Sequence, residues 1–204
     1  MTTQITAVVF DLGGVLIDWN PRYLYRKLIP DETALERFLA EVCTPAWNAT
    51  LDAGRPFADG IAELVARFPE QAELIEAYGS RWEETLGEAV ADSPAIVRRL
   101  VEAGVPTYAL SNWARETFDT ARAHFPFLDE FTGILISGDV RVAKPDPAMF
   151  RLFLDRFGLR AGETIFIDDS AANVAAARAL GIVAIKFENA DQTRRELAGL
   201  GLPL

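Results

Sequence analysis

Four short stretches of this sequence combine residue types able to bind and transform an oxyanion. Asp11 follows the apolar run at residues 7–10 and precedes Leu12-Gly13-Gly14. A carboxylate ending a buried strand is costly to ionise unless something compensates it. Gly13 and Gly14 leave backbone amides bare and able to turn toward an anion. Asp11 can therefore serve as a nucleophile, as a metal ligand, or merely as a loop anchor or helix cap. Asp168 and Asp169 end a second apolar run, with Ser170 next. Helix capping explains one of these carboxylates and not both; two side by side need a cation, and without a nearby histidine or cysteine the expected ion is Mg2+. Ser111-Asn112 after a third apolar run offers donors at a helix start, and Lys144, before Pro145, offers a point positive charge. Together they suit the oxygens of a phosphate. Singly, Ser-Asn is a common cap and most lysines are solvated surface charges, so the order of the four stretches carries the information.

Such residues need strand ends to hold them. Apolar runs at residues 5–10, 107–110, 134–137, 164–167 and 183–187 read as buried parallel strands. Stretches at residues 94–103, 114–124, 147–157 and 171–180 carry helical periodicity, with Gly104, Gly158 and Gly181 where helix ends favour a left-handed residue. This alternation predicts an α/β class, a doubly wound, mainly parallel sheet of Rossmann-like type. From residue 20 to residue 87 the strand signal disappears and helical stretches follow one another, including 33–42, 56–68 and 71–86. The expectation is a core made of residues 1–19 and 88–204 and an inserted helical-bundle cap at 20–87. Ligands of open α/β sheets bind at the carboxyl ends of strands, so an insert attached beside the first strand should roof the site.

The bulk numbers bound the function. The 204 residues carry a formal charge of -10 with no local basic face, which speaks against nucleic-acid or anionic-lipid partners. No apolar run of about 18 residues exists for a membrane span. The first residues lack the basic and apolar regions of a signal peptide, and the single cysteine, Cys43, fits a reducing compartment, so a cytoplasmic location is expected. Cys43 itself reads as a small buried hydrophobe, and His124 as a surface or packing residue. The cluster Trp19-Asn20-Pro21-Arg22-Tyr23, with Trp47-Asn48 and Arg55, is a candidate pocket lining, although aromatics at helical spacing are usually core.

An aspartate motif after the first strand, a helical insert, Ser111 after the second strand, Lys144-Pro145 and then Asp168-Asp169 together resemble the haloacid dehalogenase superfamily over essentially the whole chain. The resemblance implies Asp11 as covalent nucleophile, Ser111 and Lys144 as holders of the phosphoryl group, and Asp169 as a magnesium ligand. Asp168 would support or share the metal, Gly13 would give it a backbone carbonyl, and Asn173 would sit in its outer shell. The insert resembles the helical cap of the subgroup holding phosphoglucomutase-like phosphatases and 2-haloacid dehalogenases. One departure stands out: the phosphatases of the family usually carry a second aspartate two residues after the nucleophile, where this chain has Gly13. The usual general acid is missing, and Asp52 of the insert is a candidate replacement. The Asp-Leu-Gly form is similar to phosphatases acting on sugar phosphates. The expected activity is hydrolysis of small phosphate monoesters; the alternatives are a metal-free 2-haloacid dehalogenase using Asp11 and a weakly catalytic binding or regulatory protein.

Overall fold

The computed structural model describes residues 4–204. Five parallel strands form one sheet: β1 (Ala7–Phe10), β4 (Thr107–Ser111), β5 (Gly133–Ile136), β6 (Thr164–Asp168) and β7 (Val183–Lys186), in the order β5-β4-β1-β6-β7. Two shorter strands, β2 (Ile17–Trp19) and β3 (Leu86–Ala89), pair antiparallel as a separate ribbon.

The sheet is apolar on both faces, which is why its strands read as continuous hydrophobic runs. Successive side chains of a strand alternate between faces. Val8 and Phe10 join one cluster with Ile165 and Ile167, while Ala7 and Val9 join the other with Phe166. On the first face the sheet is covered by α5 (Ser93–Glu102), α6 (Arg115–His124) and α9 (Ala190–Gly199), through Val97, Leu100, Phe118 and Leu197. On the second it is covered by α7 (Pro147–Phe157) and α8 (Ala171–Ala179), through Phe150, Phe153, Val174 and Ala177. Helices on both faces make the sheet doubly wound, and strand order reverses at β1 and β6, the point where open α/β sheets place ligands.

Between β2 and β3 the chain is helical: a turn at Arg22–Tyr25, then α1 (Glu32–Glu41), α2 (Pro45–Asp52), α3 (Phe57–Arg67) and α4 (Ala72–Ser80). α2 starts where the Thr44 hydroxyl accepts from the Trp47 amide at 3.1 Å with Pro45 in the first turn. α2 and α3 approach closely at Gly60, whose carbonyl accepts from Trp47 Nε1 at 3.2 Å; a Cβ there would meet Leu51 at 2.6 Å. Trp47 meets Tyr78 edge-on and Phe57 stacks on it, in a core that is continuous with the first face of the sheet.

Besides α9, for which the sequence reading had no helical stretch, three features differ from it. The β2–β3 ribbon was not expected: three- and four-residue strands are too short to show a period, and Gly87 interrupts one of them. The stretch at 71–86 is not a single helix, since α4 stops at Ser80 and a 3-10 turn, Trp82–Thr85, leads into β3. Ser137 begins a helical turn, Ser137–Val140, instead of ending a strand.

Candidate active site

The register of the sheet sets two acids side by side. Phe10 pairs with Ile167, so Asp11 and Asp168 leave adjacent strands at the same level. Asp11 is 8% exposed, and its Oδ1 accepts from the Leu12 amide at 2.7 Å, Ser111 Oγ at 2.7 Å and Lys144 Nζ at 3.0 Å. Its Oδ2 has no hydrogen bond among the described residues. Burial pushes the Asp11 carboxyl up to about 7; Lys144 opposes that shift and Asp168 adds to it.

Lys144 is 4% exposed and stands between the two acids, with Nζ 2.6 Å from Asp168 Oδ2. Its main chain is clamped by Asn112, whose Oδ1 accepts from Lys144 N and whose Nδ2 donates to Lys144 O, each at 2.8 Å. Both ends of the Asn112 amide are thus occupied in placing the lysine. The helix start expected at Asn112 lies further on, since α6 begins only at Arg115, and Asn112 also lines the cavity described below. Asp168 is fully buried and saturated: Oδ1 accepts from Ser170 N at 2.8 Å, and Asn173 Nδ2 donates to both oxygens at 3.0 Å. The Ser170 side chain caps α8 while its main-chain amide holds the acid, so one turn of sequence does both.

Asp169 completes the acidic cluster. It is exposed, and burial, then Asp168, pushes its carboxyl up from the ordinary range. One oxygen of each of Asp11, Asp168 and Asp169 lies within 4.8 Å of the others. Three carboxylates face a single ammonium there, an excess of negative charge that a divalent cation fits. Gly14 makes room for this cluster: at φ +75° it adopts a left-handed backbone, and a Cβ on it would sit 2.5 Å from Asp169 Oδ2.

Above the acids lies a cavity of about 70 Å³ lined by Gly13, Trp19, Asn48, Asp52, Trp82, Asn112 and Trp113. A Cβ built on Gly13 meets nothing within 4 Å. Trp82 packs on Trp113 with ring centroids 5.8 Å apart, joining the insert to the loop after β4. Trp19 and Asn48 also line a second cavity of about 440 Å³, which continues along Pro21, Leu39, Cys43, Pro45 and Tyr78.

The structure therefore brings Asp11, Ser111, Lys144, Asp168, Asp169 and Asn173 together, with Gly13 and Gly14 beneath the cavity. Of the aromatic and polar cluster, Trp19 and Asn48 reach the site, and Pro21 and Arg22 reach the second cavity. Trp47 is core, and Arg55 pairs with Glu63 at 2.6 Å. Cys43 is buried, its thiol pushed up to about 11, and exposed His124 packs on Phe125. Trp82, Trp113 and Tyr78 were not foreseen; their only signal was being aromatic next to segments of interest.

Strand order, a cluster of three acids at the strand ends and a lysine wedged between two strand-end aspartates define a class of α/β hydrolase. A family model described as haloacid dehalogenase-like hydrolase matches residues 5–181, and the chain belongs to that family. It is 28% identical to the sesquiterpene phosphatase astK of Aspergillus oryzae over 98% of each chain. It is 27% identical to a phosphoglycolate phosphatase of Pectobacterium atrosepticum, covering 88% of this chain and 78% of that one. The solved structure of the haloacid dehalogenase family enzyme bt-2542 of Bacteroides thetaiotaomicron, in complex with magnesium and inorganic phosphate, has the same fold. Its TM-score is 0.70 at 23% identity over 91% of this chain and 95% of that one.

Proposed function

We propose that the protein is a magnesium-dependent phosphomonoesterase working through a phosphoaspartate at Asp11. The observation that carries this reading is how Asp11 is held: three donors fix Oδ1, and Oδ2 is left without a protein donor. A carboxylate so oriented is prepared for attack on phosphorus. The relatives named as phosphatases support the same reaction.

In this reading Asp11, Asp169 and the Gly13 carbonyl hold the ion, and Asp168 acts behind them by fixing Lys144 and Asn173. Bound Mg2+ supplies positive charge that keeps the carboxylates ionised and offsets charge on the phosphoryl oxygens. Asp11 attacks phosphorus and the bond to the alcohol oxygen breaks. Ser111 Oγ and Lys144 Nζ, already converged on Asp11, donate to the transferring phosphoryl group, which Gly14 admits closely. Water then cleaves the phosphoaspartate. Residues 20–87 serve as a cap that excludes bulk water, so added Mg2+ with a fluoride phosphate mimic should protect amides near Trp19 and Trp47 from exchange.

The leaving group faces the second cavity. Arg22 is the cation lining it among the described residues, and Glu36 holds it bidentate at 2.5 and 2.6 Å. The wall thus offers no unpaired positive charge to a second anionic group, and its apolar side chains favour esters of uncharged, apolar alcohols over phosphoglycolate or sugar phosphates. The relative named as a sesquiterpene phosphatase agrees with that chemistry.

A 2-haloacid dehalogenase would use the same nucleophile without an ion; the three-acid cluster favours the phosphatase. The test is release of phosphate from prenyl, aryl, sugar and glycolate monophosphates, and of halide from 2-chloropropionate, with Mg2+ and with chelator. Phosphate release that vanishes with chelator is expected. Halide release that survives chelator overturns the reading.

A further inference from the structure

Gly13 leaves a gap where a side chain would project into the cavity, and one carboxylic acid from elsewhere in the chain borders the same space. That acid is Asp52, the last residue of α2. It is fixed at both ends. Its carbonyl accepts from Ser137 Oγ, which in turn accepts from Trp113 N at 2.9 Å, so the residue is tied to the loops that follow β4 and β5. Its carboxylate accepts from Asn48 Nδ2 at 2.8 Å and lies against the Ala114 amide. Asn48 cannot turn its amide over without losing a second bond, because Tyr78 OH donates to its Oδ1.

The Ala114 amide at the start of α6 and the Asn48 amide give the carboxylate two donors, but no cation answers its charge. Asp52 has no ion pair among the described residues, and its neighbours are Trp19, Trp82, Trp113 and the neutral Asn48. Two neutral donors do not offset the loss of water around a carboxylate, and burial accordingly pushes this one up to about 7, with nearby Asp11 adding to the shift. An aspartate kept against that cost, facing the cavity above the nucleophile, has the properties of a proton carrier.

We propose that Asp52 supplies the acid and base that Gly13 lacks. This rests on the phosphomonoesterase reading of the same site. As Asp11 attacks phosphorus and the P–O bond to the alcohol breaks, the Asp52 carboxyl gives its proton to the departing oxygen. The resulting Asp52 carboxylate then takes a proton from the water that attacks the phosphoaspartate. Phosphate leaves, the Asp11 carboxylate is regenerated, and Asp52 is again protonated.

The experiment compares wild type, Asp52→Asn, Gly13→Asp and the double variant on two esters under single-turnover conditions with Mg2+. 4-Nitrophenyl phosphate departs as a stable phenolate and needs no proton; butyl phosphate needs one. In Asp52→Asn the first step on butyl phosphate should fall by roughly 10²-fold to 10⁴-fold while release of nitrophenol stays near wild type. Steady-state turnover of the aryl ester should then show a burst, because cleavage of the phosphoaspartate has lost its base. Gly13→Asp in the Asp52→Asn background should recover butyl phosphate hydrolysis, since the new side chain enters open space. Equal losses on both esters, or no loss on either, overturn the role of Asp52. Wild type that releases no phosphate from either ester, or an Asp11→Asn variant as active as wild type, overturns the phosphomonoesterase reading instead.

Discussion

Asp11 and Asp52 are two carboxyls that burial pushes to the same place, about 7, by opposite designs. On the sheet side Asp11 has a buried ammonium, a hydroxyl and an amide on one oxygen, with two more acids in reach of a shared cation. Everything there waits for positive charge, which would complete the site and ionise the acid. On the insert side Asp52 has only an amide side chain and a backbone amide, and no cation. Burial and the nearby Asp11 charge favour the protonated form there, and the two donors oppose them only in part. The difference teaches how one cleft can hold a nucleophile that must be charged and an acid that must not be, with environment assigning the roles.

The comparison can be broken at its ends. The largest effect is expected for Asp11→Asn, which should lower turnover at least ~10⁴-fold while circular dichroism and thermal unfolding stay native-like. Next is Lys144→Met, which leaves a buried cluster of acids without its ammonium. It should cost roughly 3–5 kcal/mol of stability in the metal-free protein at pH 8, read by denaturant unfolding. That deficit should narrow as pH falls through 7 and Asp11 takes up a proton.

Asp52→Asn should do the reverse. The folded-state pKa of Asp52 is raised from 3.8 to about 7, so its contribution to stability is complete below about pH 4 and is lost as pH rises toward 7. In chelator at pH 8 the variant should therefore be more stable than wild type, by an upper bound of roughly 4 kcal/mol, with the gain fading toward pH 4. A variant less stable at every pH would mean that the aspartate is held for packing. The smallest effect separates the adjacent acids. Asp169→Asn should weaken Mg2+ binding in calorimetric titration, by removing a ligand carboxylate, with little change in unfolding. Asp168→Asn should instead destabilise the fold, because it removes the charge against which Lys144 is buried. The opposite pattern would exchange their roles.

Legibility in the sequence followed locality. β1 and β6 were readable because strands buried on both faces are unbroken apolar runs, and the acids ending them are adjacent to those runs in the chain. Ser111 and Lys144 were readable only through their order. The site's upper wall was harder to read: Asp52 could be named only as a candidate acid, and Trp82 and Trp113 come from separate segments whose convergence is decided by packing. No local signal shows that Asn112 clamps the main chain of Lys144. α9 had no flag beyond Asn189, which caps it through a bond from Gln192 N at 2.9 Å.

The β2–β3 ribbon carries a consequence for inheritance. Trp19 pairs with Leu86, so the helical passage between them begins and ends side by side on the ribbon. A gene can lengthen, shorten or exchange everything between those residues as one contiguous passage without redrawing the order of the five parallel strands. What the cleft admits is then set by a passage separate in sequence from the residues that carry the reaction. The freedom has one condition in this chain: a transplanted passage must bring an acid of its own to the place Asp52 occupies, or Gly13 must mutate to become one.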